Sequence, residues 1–536
     1  MSASLSASRV ILTPHKERPR PEVSGEMLCG KMQGMPTSRV PSRFDATAAH
    51  GAQEQVSSAP FGVKIIATVG PSCASPAVLR EMARAGMCVA RLNASHGSAK
   101  ERQTLLEAAR AAQKKLKIPF ATLLDLKGPE VRTANPKPIT LTQGGEIVLA
   151  VRQQRVREGA AGPVLSLSGI RTLAFLRRGM RVFLNDGAQI LEVTNEGETQ
   201  VKARVVVGGD IAPRRGVQFP DATTALRGIT AQDARDIAWG AKMGFDAVAV
   251  SFVKNASDIR RARLLLARYD SRALLIAKIE TAEALDHFQD ILRLSDGIMV
   301  ARGDLALAIP AERVPVVQKE LVREARAAGK YAIVATQMLE TMTRNPSPTR
   351  AEISDVANAV LDGADALMLS AETAIGDHPV AAVATMRRIA AEAQTHKEPW
   401  DVPLLKDAQD APALNERIGL SVAGQAARLA RNVGAACIVA FTETGTTARL
   451  VSRSQGNIPI LVVSQHTSTL RQAMFGYGLI PTARPARYTK HSRFSSLARA
   501  AARASGLAHA NEPIVVISGS IFGKPGETNT LTVIAA

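Results

Sequence analysis

Short apolar runs alternate with longer amphipathic runs along most of the chain. Eight runs have the length and composition of buried strands: Val63–Val69, Cys88–Leu92, Phe120–Leu124, Asp246–Val250, Leu274–Ile279, Gly297–Ala301, Tyr331–Ala335 and Ala366–Leu369. Most of the intervening segments repeat apolar residues at intervals of three and four, as helices do: Pro76–Ala85, Ala99–Leu116, Thr230–Gly244, Ser257–Tyr269, Thr281–Leu294, Val314–Ala328, Thr349–Leu361 and Pro379–Ala393. Strands that alternate with helices in this number predict an α/β fold, a (β/α)8 TIM barrel.

The alternation is interrupted between the third and fourth predicted strands. From 133 to 220 apolar residues occur at every second position, and Asn185-Asp186-Gly187 separates two such runs as a hairpin turn does. We therefore expect a small inserted all-β, β-barrel-like domain over 133–220, with the catalytic barrel formed by 61–132 and 221–396. Because the insertion follows a barrel strand at the end where such barrels carry their active sites, it is placed to act as a lid.

The pattern changes again after the barrel. Prolines mark a linker over Pro399–Leu414, and residues 411–536 then read as a C-terminal α/β domain with a doubly wound layout. The predicted elements are the helices Asn415–Asn432, Thr467–Phe475 and Ser495–Ser505, and the strands Ala436–Phe441, Pro459–Val463, Pro513–Ile517 and Leu531–Ile534. Residues 1–60 are rich in Ser, Pro and Arg without an apolar period, so we expect a disordered N-terminal extension.

Composition narrows the class of protein. A length of 536 residues requires several domains. The net charge of +19 suits anionic substrates, whereas four tyrosines and two tryptophans argue against a stacking platform for single strands, so no specific nucleic-acid partner is expected. No apolar run is long enough to cross a membrane. The four cysteines form no CxxC pair, which favours a reducing, cytoplasmic location over a structural zinc site.

Polar side chains occur at the ends of nearly all the predicted barrel strands. Lys278 and Glu280 are two residues apart and point the same way on an extended chain, and Asp304 follows the next strand. Two carboxylates suit Mg²⁺ and a neighbouring lysine suits a phosphate or enolate oxygen, although a plain ion pair is the alternative. The other strand-end polar residues are Asn93, Ser95, Asp125, Lys127, Ser251, Arg302, Thr336, Ser370 and Glu372. Their convergence at the end where barrel enzymes carry out chemistry predicts an active site.

Long ordered motifs add a family resemblance. From about Val63 onward the chain resembles the pyruvate kinase family in the segments Ala85–Gly97, Asp125–Arg132, Ala277–Glu280, Asp296–Leu305, Ala335–Glu340, Pro348–Asp365 and Met368–Thr373. The resemblance implies glycolytic phosphoryl transfer from phosphoenolpyruvate to ADP, which yields pyruvate and ATP. It also implies a homotetramer.

The resemblance assigns the phosphoryl-transfer and divalent-metal roles. Glu280 and Asp304 would bind Mg²⁺ or Mn²⁺, and Lys278 would stabilise charge on the phosphoryl group and the enolate. Arg91 would grip the phosphoryl oxygens, although pairing with a carboxylate at the core edge is its alternative role. The backbone amides of Gly303 and Asp304 would receive the substrate carboxylate. Thr336 and Ser370 would relay a proton to the enolate carbon through water.

The same resemblance implies a K⁺ site and nucleotide contacts. Asn93, Ser95, Asp125 and the carbonyl of Leu126 would form the K⁺ site, and Glu130 stands where glutamate accompanies K⁺ dependence. Asn93 and Ser95 could instead cap the next helix. The nucleotide contacts would come from Asn93, His96, Arg132 and Asp186, with structural hydrogen bonding the alternative for His96 and a plain turn the alternative for Asp186.

A hydroxyl-rich loop follows a predicted strand of the C-terminal domain. Hydroxyls and a glycine before a helix can form an anion nest, and in this family sugar phosphates or nucleotides bind as effectors at this place. The candidate residues are Thr442, Thr444, Gly445, Thr446 and Thr447, with an ordinary turn as the alternative. Departures from the family pattern are Ala94, Ala308 and Gln455-Gly456, none of which removes a predicted ligand.

Two other functions are compatible with parts of the pattern. One is a Mg²⁺-dependent lyase or aldolase that acts on pyruvate-like acids, against which the inserted domain and the complete ligand set argue. The other is an inactive regulatory relative, suggested by the high positive charge and opposed by the intact ligands.

Overall fold

The computed structural model describes residues 61–116, 120–151, 163–222, 226, 228–396, 414–453, 456–482, 486, 494–519 and 527–536. The predicted N-terminal extension, most of the predicted linker and Gln455 lie outside these described residues.

The first barrel elements alternate between strand and helix, as predicted. They are β1 (Lys64–Thr68), α1 (Pro76–Ala85), β2 (Met87–Asn93), α2 (Ala99–Gln113) and β3 (Ala121–Asp125). Ser98 caps α2 by accepting from the backbone N–H of Glu101, whose carboxylate accepts from the N–H of Ser98. The alternative that Asn93 or Ser95 caps this helix is therefore wrong.

The inserted region is a separate small barrel. Its strands are β4 (Val131–Thr133), β5 (Ile139–Leu141), β6 (Glu146–Val151), β7 (Val164–Ser168), β8 (Arg181–Leu184), β9 (Gln189–Asn195), β10 (Gln200–Val207), β11 (Gly209–Ile211) and β12 (Gly216–Gln218). Seven close in the order β10-β6-β7-β4-β12-β8-β9, and β5 pairs with β11. The predicted hairpin joins β8 to β9, with Asn185, Asp186 and Gly187 all at positive φ.

The chain then returns to complete the catalytic barrel. The remaining elements are α3 (Ala231–Met243), β13 (Ala247–Val250), α4 (Ala256–Ala267), β14 (Leu274–Ile279), α5 (Ala282–Asp286), α6 (Phe288–Leu294), β15 (Gly297–Ala301), α7 (Arg302–Ala308), α8 (Val314–Ala327), β16 (Tyr331–Ala335), α9 (Arg350–Asp362), β17 (Ala366–Leu369), α10 (Ala371–Ala374) and α11 (Pro379–Thr395). The closed sheet has the order β1-β17-β16-β15-β14-β13-β3-β2, and every pair is parallel. The TIM-barrel prediction is confirmed.

One predicted helix is two. The segment Thr281–Leu294 breaks at His287, whose φ of −107° and ψ of 17° are not helical. The apolar period continues across the break because α5 and α6 both face the same barrel core, so periodicity alone did not reveal it.

The C-terminal domain is a mixed sheet covered by helices. Its elements are α12 (Leu414–Asn432), β18 (Cys437–Phe441), α13 (Thr446–Ser452), β19 (Ile460–Val463), α14 (Thr467–Gln472), β20 (Leu479–Pro481), α15 (Phe494–Ala504), β21 (Pro513–Gly519) and β22 (Thr528–Ala535). The strand order is β20-β19-β18-β21-β22, with only β22 antiparallel to its neighbour. Strand β20, with three residues, was not predicted.

The C-terminal domain packs on the end of the barrel where the strands begin. Arg471 Nε donates to Asp246 at the start of β13 (2.6 Å), and Lys64 Nζ in β1 donates to the carbonyl of Leu479 (2.7 Å). Asp365, just before β17, accepts from the N–H of Tyr477 (3.0 Å). This docking leaves the opposite end of the barrel, where the strands end, free for the cleft.

Among the described residues, no helix combines the length and apolarity required to cross a membrane.

Candidate active site

A cleft of about 610 Å³ lies at the carboxyl ends of the barrel strands. The barrel contributes Glu280 and Asp304 to its lining, and the inserted domain contributes Arg132, Asp186 and Gln218. The cleft therefore has one wall from each domain, and the polar side chains of both walls face the same space.

Lys278 is held between two carboxylates. Its Nζ lies 2.9 Å from Glu280 Oε1 and 3.3 Å from Asp125 Oδ1, and it donates to the hydroxyl of Ser251 at 2.7 Å. Burial lowers the pKa of Lys278, but the carboxylates of Asp125 and Glu280 outweigh burial and leave the pKa above its usual value. The predicted same-side placement of Lys278 and Glu280 is confirmed, and the lysine stays a fixed positive charge.

Glu280 and Asp304 form a pair of carboxylates suited to a hard divalent cation. Burial, and then the neighbouring carboxylate of Glu280, raise the pKa of Asp304 to about 7. Glu280 Oε2 accepts from the N–H of Phe252 (2.6 Å), whereas its buried Oε1 makes no hydrogen bond of good geometry within the described part of the chain. A divalent cation would relieve the repulsion between the two carboxylates.

The described residues contain no cluster of three or more His, Cys, Asp or Glu side chains that could by itself bind a metal. This fits Mg²⁺, which binds through one or two carboxylates and takes its other ligands from substrate phosphates and water.

Arg91 is fixed by its neighbours on both sides. Its Nε donates to Asp125 Oδ2 and its Nη1 donates to the hydroxyl of Thr68, both at 2.7 Å, and the side chain is buried. The pairing that the sequence left as an alternative therefore occurs. Arg91 and Lys278 share Asp125, whose pKa is raised by burial but lowered more by these two cations. The shared carboxylate aligns both positive groups.

The predicted K⁺ ligands lie on neighbouring strand ends. Asn93 and Asp125 are register partners on β2 and β3, and Asn93 Oδ1 accepts from the N–H of Ser95 (2.9 Å). The carbonyl of Leu126 accepts from Ser251 Oγ (2.7 Å). An amide, a hydroxyl, a carboxylate and a carbonyl supply the oxygen donors that an alkali cation needs in place of water.

Thr336 has a strained backbone at the end of β16. Its φ is +69°, and the next residue, Gln337, has a φ of +56°. The Thr336 hydroxyl accepts from the N–H of Gly303 (2.9 Å) and donates to the carbonyl of Ala335 (2.6 Å). Arg302 secures this turn by donating to the Thr336 carbonyl (2.7 Å). The Gly303 amide, predicted to receive the substrate carboxylate, is thus hydrogen-bonded to Thr336 here.

Ser370 is positioned by a buried carboxylate. Glu372 accepts from the N–H of Ser370 (2.6 Å) and from the N–H of Leu339 (3.3 Å), and burial raises the pKa of Glu372. The Ser370 Oγ is buried and makes no hydrogen bond to any residue in the described ranges. Its hydroxyl therefore has a free hydrogen-bonding capacity at the barrel mouth.

Comparison with known proteins decides the family. The protein-family model named "Pyruvate kinase, barrel domain" matches residues 62–383. The family model named "Pyruvate kinase, alpha/beta domain" matches residues 421–534. A pyruvate kinase of Agrobacterium vitis is 39% identical over 475 residues, which cover 88% of this chain and 98% of that protein. A pyruvate kinase of Staphylococcus epidermidis is 38% identical over 474 residues, which cover 88% of this chain and 80% of that protein.

The chain belongs to the pyruvate kinase family. Its function is accordingly that of a pyruvate kinase, and its activity is that of a kinase. The alternative of a lyase or aldolase built on the same barrel is not supported.

Of the residues that the resemblance to pyruvate kinases assigns to the nucleotide, three line the cleft: His96, Arg132 and Asp186. Arg132 donates to Glu130 Oε2 (2.6 Å) and to the carbonyl of Arg214 (2.9 Å), and it is only partly buried. Burial raises the pKa of Glu130, but Arg132 and Lys127 together lower it more, so the pKa lies below its usual value. His96 is exposed at the rim, and Asp186 occupies the hairpin turn of the inserted domain.

The loop that the sequence predicts to bind an effector is tightly hydrogen-bonded. Gly445 has a φ of +85° and donates its N–H to the Thr442 hydroxyl (2.9 Å), while the hydroxyls of Thr444 and Thr446 lie 3.0 Å apart. Thr447 contacts the hydroxyl of Thr528 (2.6 Å).

The acidic residue of this loop has its own partner. Glu443 lies 3.0 Å from His466 Nε2 at the start of α14. The carboxylate that would oppose an anion is thus paired with an imidazole.

Three residues of the site were not assigned a role from the sequence. Thr68 holds Arg91, Ser251 joins Lys278 to the Leu126 carbonyl, and Gln218 of the inserted domain contacts Asp304. Ser251 had a visible signal, since it follows a strand. Thr68 was hidden inside a predicted strand, and Gln218 lies 86 residues from its partner.

Proposed function

We propose that this chain transfers the phosphoryl group of phosphoenolpyruvate to ADP, forming pyruvate and ATP. The observation that carries the proposal is the arrangement of charges at the ends of the barrel strands. A lysine and an arginine share one carboxylate, while two further carboxylates are left for a divalent cation. The phosphorus–oxygen bond to the enolate breaks, a bond to the ADP β-phosphate oxygen forms, and the enolate takes a proton at its methylene carbon.

Fixed cations on the protein stabilise the charge that moves during transfer. Lys278 Nζ remains protonated and faces the phosphoryl group and the enolate oxygen, and Arg91 offers its guanidinium to the phosphoryl oxygens. Because Asp125 and Thr68 already orient Arg91, little reorganisation is needed when the substrate binds.

Glu280 and Asp304 would hold Mg²⁺ or Mn²⁺, which when bound neutralises charge on the phosphate oxygens. Asn93, Ser95, Asp125 and the Leu126 carbonyl would hold K⁺, which adds a further positive charge near the phosphoryl group. Glu130 carries the expected K⁺ dependence, and Lys127 and Arg132 keep its carboxylate ionised.

Thr336 and Ser370 carry the proton relay in this proposal. A hydroxyl is too weak an acid to protonate the enolate by itself, so each would pass a proton through water. The unsatisfied Ser370 Oγ supports this role. When the substrate carboxylate approaches Gly303 and Asp304, the Thr336 hydroxyl has to release the Gly303 N–H, which frees it for the relay.

His96, Arg132 and Asp186, together with Asn93, would contact the nucleotide from the rim. The inserted domain, taken as 133–220, would act as a lid over ADP.

The remaining proposals are a homotetramer, a cytoplasmic location, and a sugar phosphate or nucleotide as effector at Thr442–Thr447. The buried free thiols of Cys73, Cys88 and Cys437 support a reducing compartment.

An assay for pyruvate formation, with and without ADP and K⁺, tests this function. We expect pyruvate from phosphoenolpyruvate only when ADP is present, and faster with K⁺. Absence of ADP-dependent pyruvate would refute the proposal and favour the inactive-relative alternative.

Lys278→Met tests the central charge. We expect kcat to fall by at least about 10²–10³-fold, because the substitution removes a preorganised charge from the transition state. Circular dichroism should report an unchanged fold, and Lys254→Met, which removes a lysine paired with Glu283 at the edge of the same cleft, serves as the control. A Lys278→Met enzyme with nearly normal kcat would disprove the assigned role.

A further inference from the structure

The strand that leads from the inserted domain back to the barrel directs one side chain into the cleft. Val217 and Phe219 are buried in the core of the inserted domain, whereas Gln218 between them is only half-buried and lines the cleft. Successive side chains of a strand point to opposite faces, so burial of the two neighbours fixes the direction of Gln218. Pairing of Gln218 with Phe183 on β8 ties this position to the inserted barrel.

Gln218 contacts a predicted metal ligand in the other domain. Its Nε2 donates to Asp304 Oδ1 at 3.3 Å, across 86 residues of sequence. Among the described residues, Gln218 is the only one whose side chain donates a hydrogen bond to the Asp304 carboxylate. The ionised carboxylate, which is the form that binds a metal, accepts and does not donate, so in that form the amide nitrogen faces Asp304.

The other end of the amide is unsatisfied. Gln218 Oε1 is buried and has no hydrogen-bond partner within the described ranges. A buried carbonyl oxygen without a donor is costly, and it persists where a ligand supplies the donor. Water on a cation held by Asp304 is a donor of the required kind. The amide thus suits both the carboxylate and the shell around a hydrated cation.

We propose that Gln218 is a positioning residue, which orients the Asp304 carboxylate for the divalent cation and thereby makes metal affinity depend on the inserted domain. The inference rests on the proposed function only in taking Asp304 as a metal ligand. Groups that hydrogen-bond to ligating carboxylates fix their orientation, and their loss costs about 10–100-fold in metal affinity or activity.

Direct titration of the full-length protein with Mn²⁺, followed by the electron-spin-resonance signal of the free ion, tests this inference. Gln218→Met keeps the length of the side chain and removes both hydrogen-bonding atoms. We expect it to weaken Mn²⁺ binding about 10–100-fold. At saturating Mn²⁺ the kcat should stay within about threefold of the parent, because the residue acts through the ligand and does not touch the reacting atoms.

Two further variants keep the result interpretable. Asp304→Asn identifies the site, since its loss of Mn²⁺ binding defines the titration that belongs to this ligand. Gln200→Met changes a glutamine in β10 of the same domain, away from the cleft lining, and should bind Mn²⁺ as the parent does.

Each outcome bears on the inference. Parental Mn²⁺ affinity in Gln218→Met would overturn it, and so would equal weakening in Gln200→Met, because the cause would then be general loosening of the domain. Absence of a Mn²⁺ site sensitive to Asp304→Asn in the parent would also overturn it. If the parent makes no ADP-dependent pyruvate but Gln218→Met still binds Mn²⁺ more weakly than the parent, the proposed function is refuted and the role of Gln218 stands.

Discussion

At the scale of single residues, the site depends on charges that share partners. Asp125 forms ion pairs with both Arg91 and Lys278. Glu280 forms a second ion pair with Lys278. Asp304 has no such cation of its own at salt-bridge distance among the described residues, and its pKa rises to about 7 as a result of burial and of Glu280. The carboxylate that most needs a metal is therefore the one that a proton can occupy near neutral pH.

This competition predicts the pH dependence of the Mg²⁺ requirement. Protonation removes the ligand charge, so Mg²⁺ affinity is full above the pKa of Asp304 and is lost as the pH falls through about 7. Between about pH 8 and pH 6 we expect the Mg²⁺ concentration for half-maximal rate to rise about tenfold. Initial rates over a Mg²⁺ series at each pH measure this.

The K⁺ requirement supplies the internal control. Asp125 has a lowered pKa, so its carboxylate stays ionised throughout this range. The K⁺ concentration for half-maximal rate should therefore stay constant while that for Mg²⁺ changes. If the Mg²⁺ requirement is also flat, the assignment of Asp304 is wrong.

At the scale of elements, the hairpin between β8 and β9 approaches the helix that carries Asp304. A Cβ atom on Gly187 would lie 2.9 Å from Leu307 Cδ2 in α7, so the Leu307 side chain would have to shift. Gly187 also has a φ of +83°, which disfavours other residues. Gly187 therefore satisfies two requirements, the positive φ of the turn and the close approach to Leu307 beside the cleft.

A comparison of Gly187→Ala with Gly179→Ala separates the effect of the positive φ from the effect of the contact with Leu307. Gly179 is in the same domain with a φ of +87°, but a Cβ there would meet nothing within 4 Å. Both variants should lose roughly 1 kcal/mol of stability from backbone strain. Only Gly187→Ala should raise the KM for ADP and the Mg²⁺ requirement, because it alone displaces Leu307. Thermal unfolding and steady-state kinetics measure the two effects, and equal kinetics in both variants would count against a role for this contact.

At the scale of the whole molecule, buried polar contacts join the C-terminal domain to the beginnings of the barrel strands. One such pair is Arg471 with Asp246, and the Asp246 side chain is 1% exposed. Burial raises the pKa of Asp246 even though Arg471 lowers it. Asp246 also accepts from the N–H and the hydroxyl of Thr122. The carboxylate is therefore costly to leave without its cation.

Arg471→Met should destabilise the protein by about 3–5 kcal/mol, because it strands a buried charge. The pKa of Asp246 is raised in the folded protein, so burial of this side chain costs less free energy when it is protonated. Stability is therefore retained at low pH and lost as the pH rises through the folded pKa. The deficit of Arg471→Met should accordingly shrink in acid. Urea unfolding at two pH values measures it.

Arg263→Met is the matched control for this pair. Arg263 also bonds an aspartate just before a barrel strand, Asp296, but its side chain is 42% exposed. Its removal should cost about 0–1 kcal/mol. Equal losses in the two variants would contradict the special importance of the buried pair at the domain interface.

The sequence determined the architecture because its signals are local. Strand length, helical period and the Asn185-Asp186-Gly187 turn depend on neighbours along the chain, and they predicted the barrel, its insertion and the last domain. The motifs predicted Lys278, Glu280 and Asp304 for a related reason: parallel strands that end at one rim must bring their terminal residues together. Local signals failed at β20, which is too short to show a period, and at His287, where the period continued through a break.

Only the tertiary structure decided which groups hold the predicted site residues in place. Thr68 beside Arg91, Ser251 between Lys278 and Leu126, and Gln218 against Asp304 are contacts between distant segments. Each contact forms because a barrel closes or a domain folds back over the strand ends, and no pattern along the chain encodes that distance. The sequence by itself therefore determined which charged groups are candidates for the site, whereas packing in three dimensions determined their orientation.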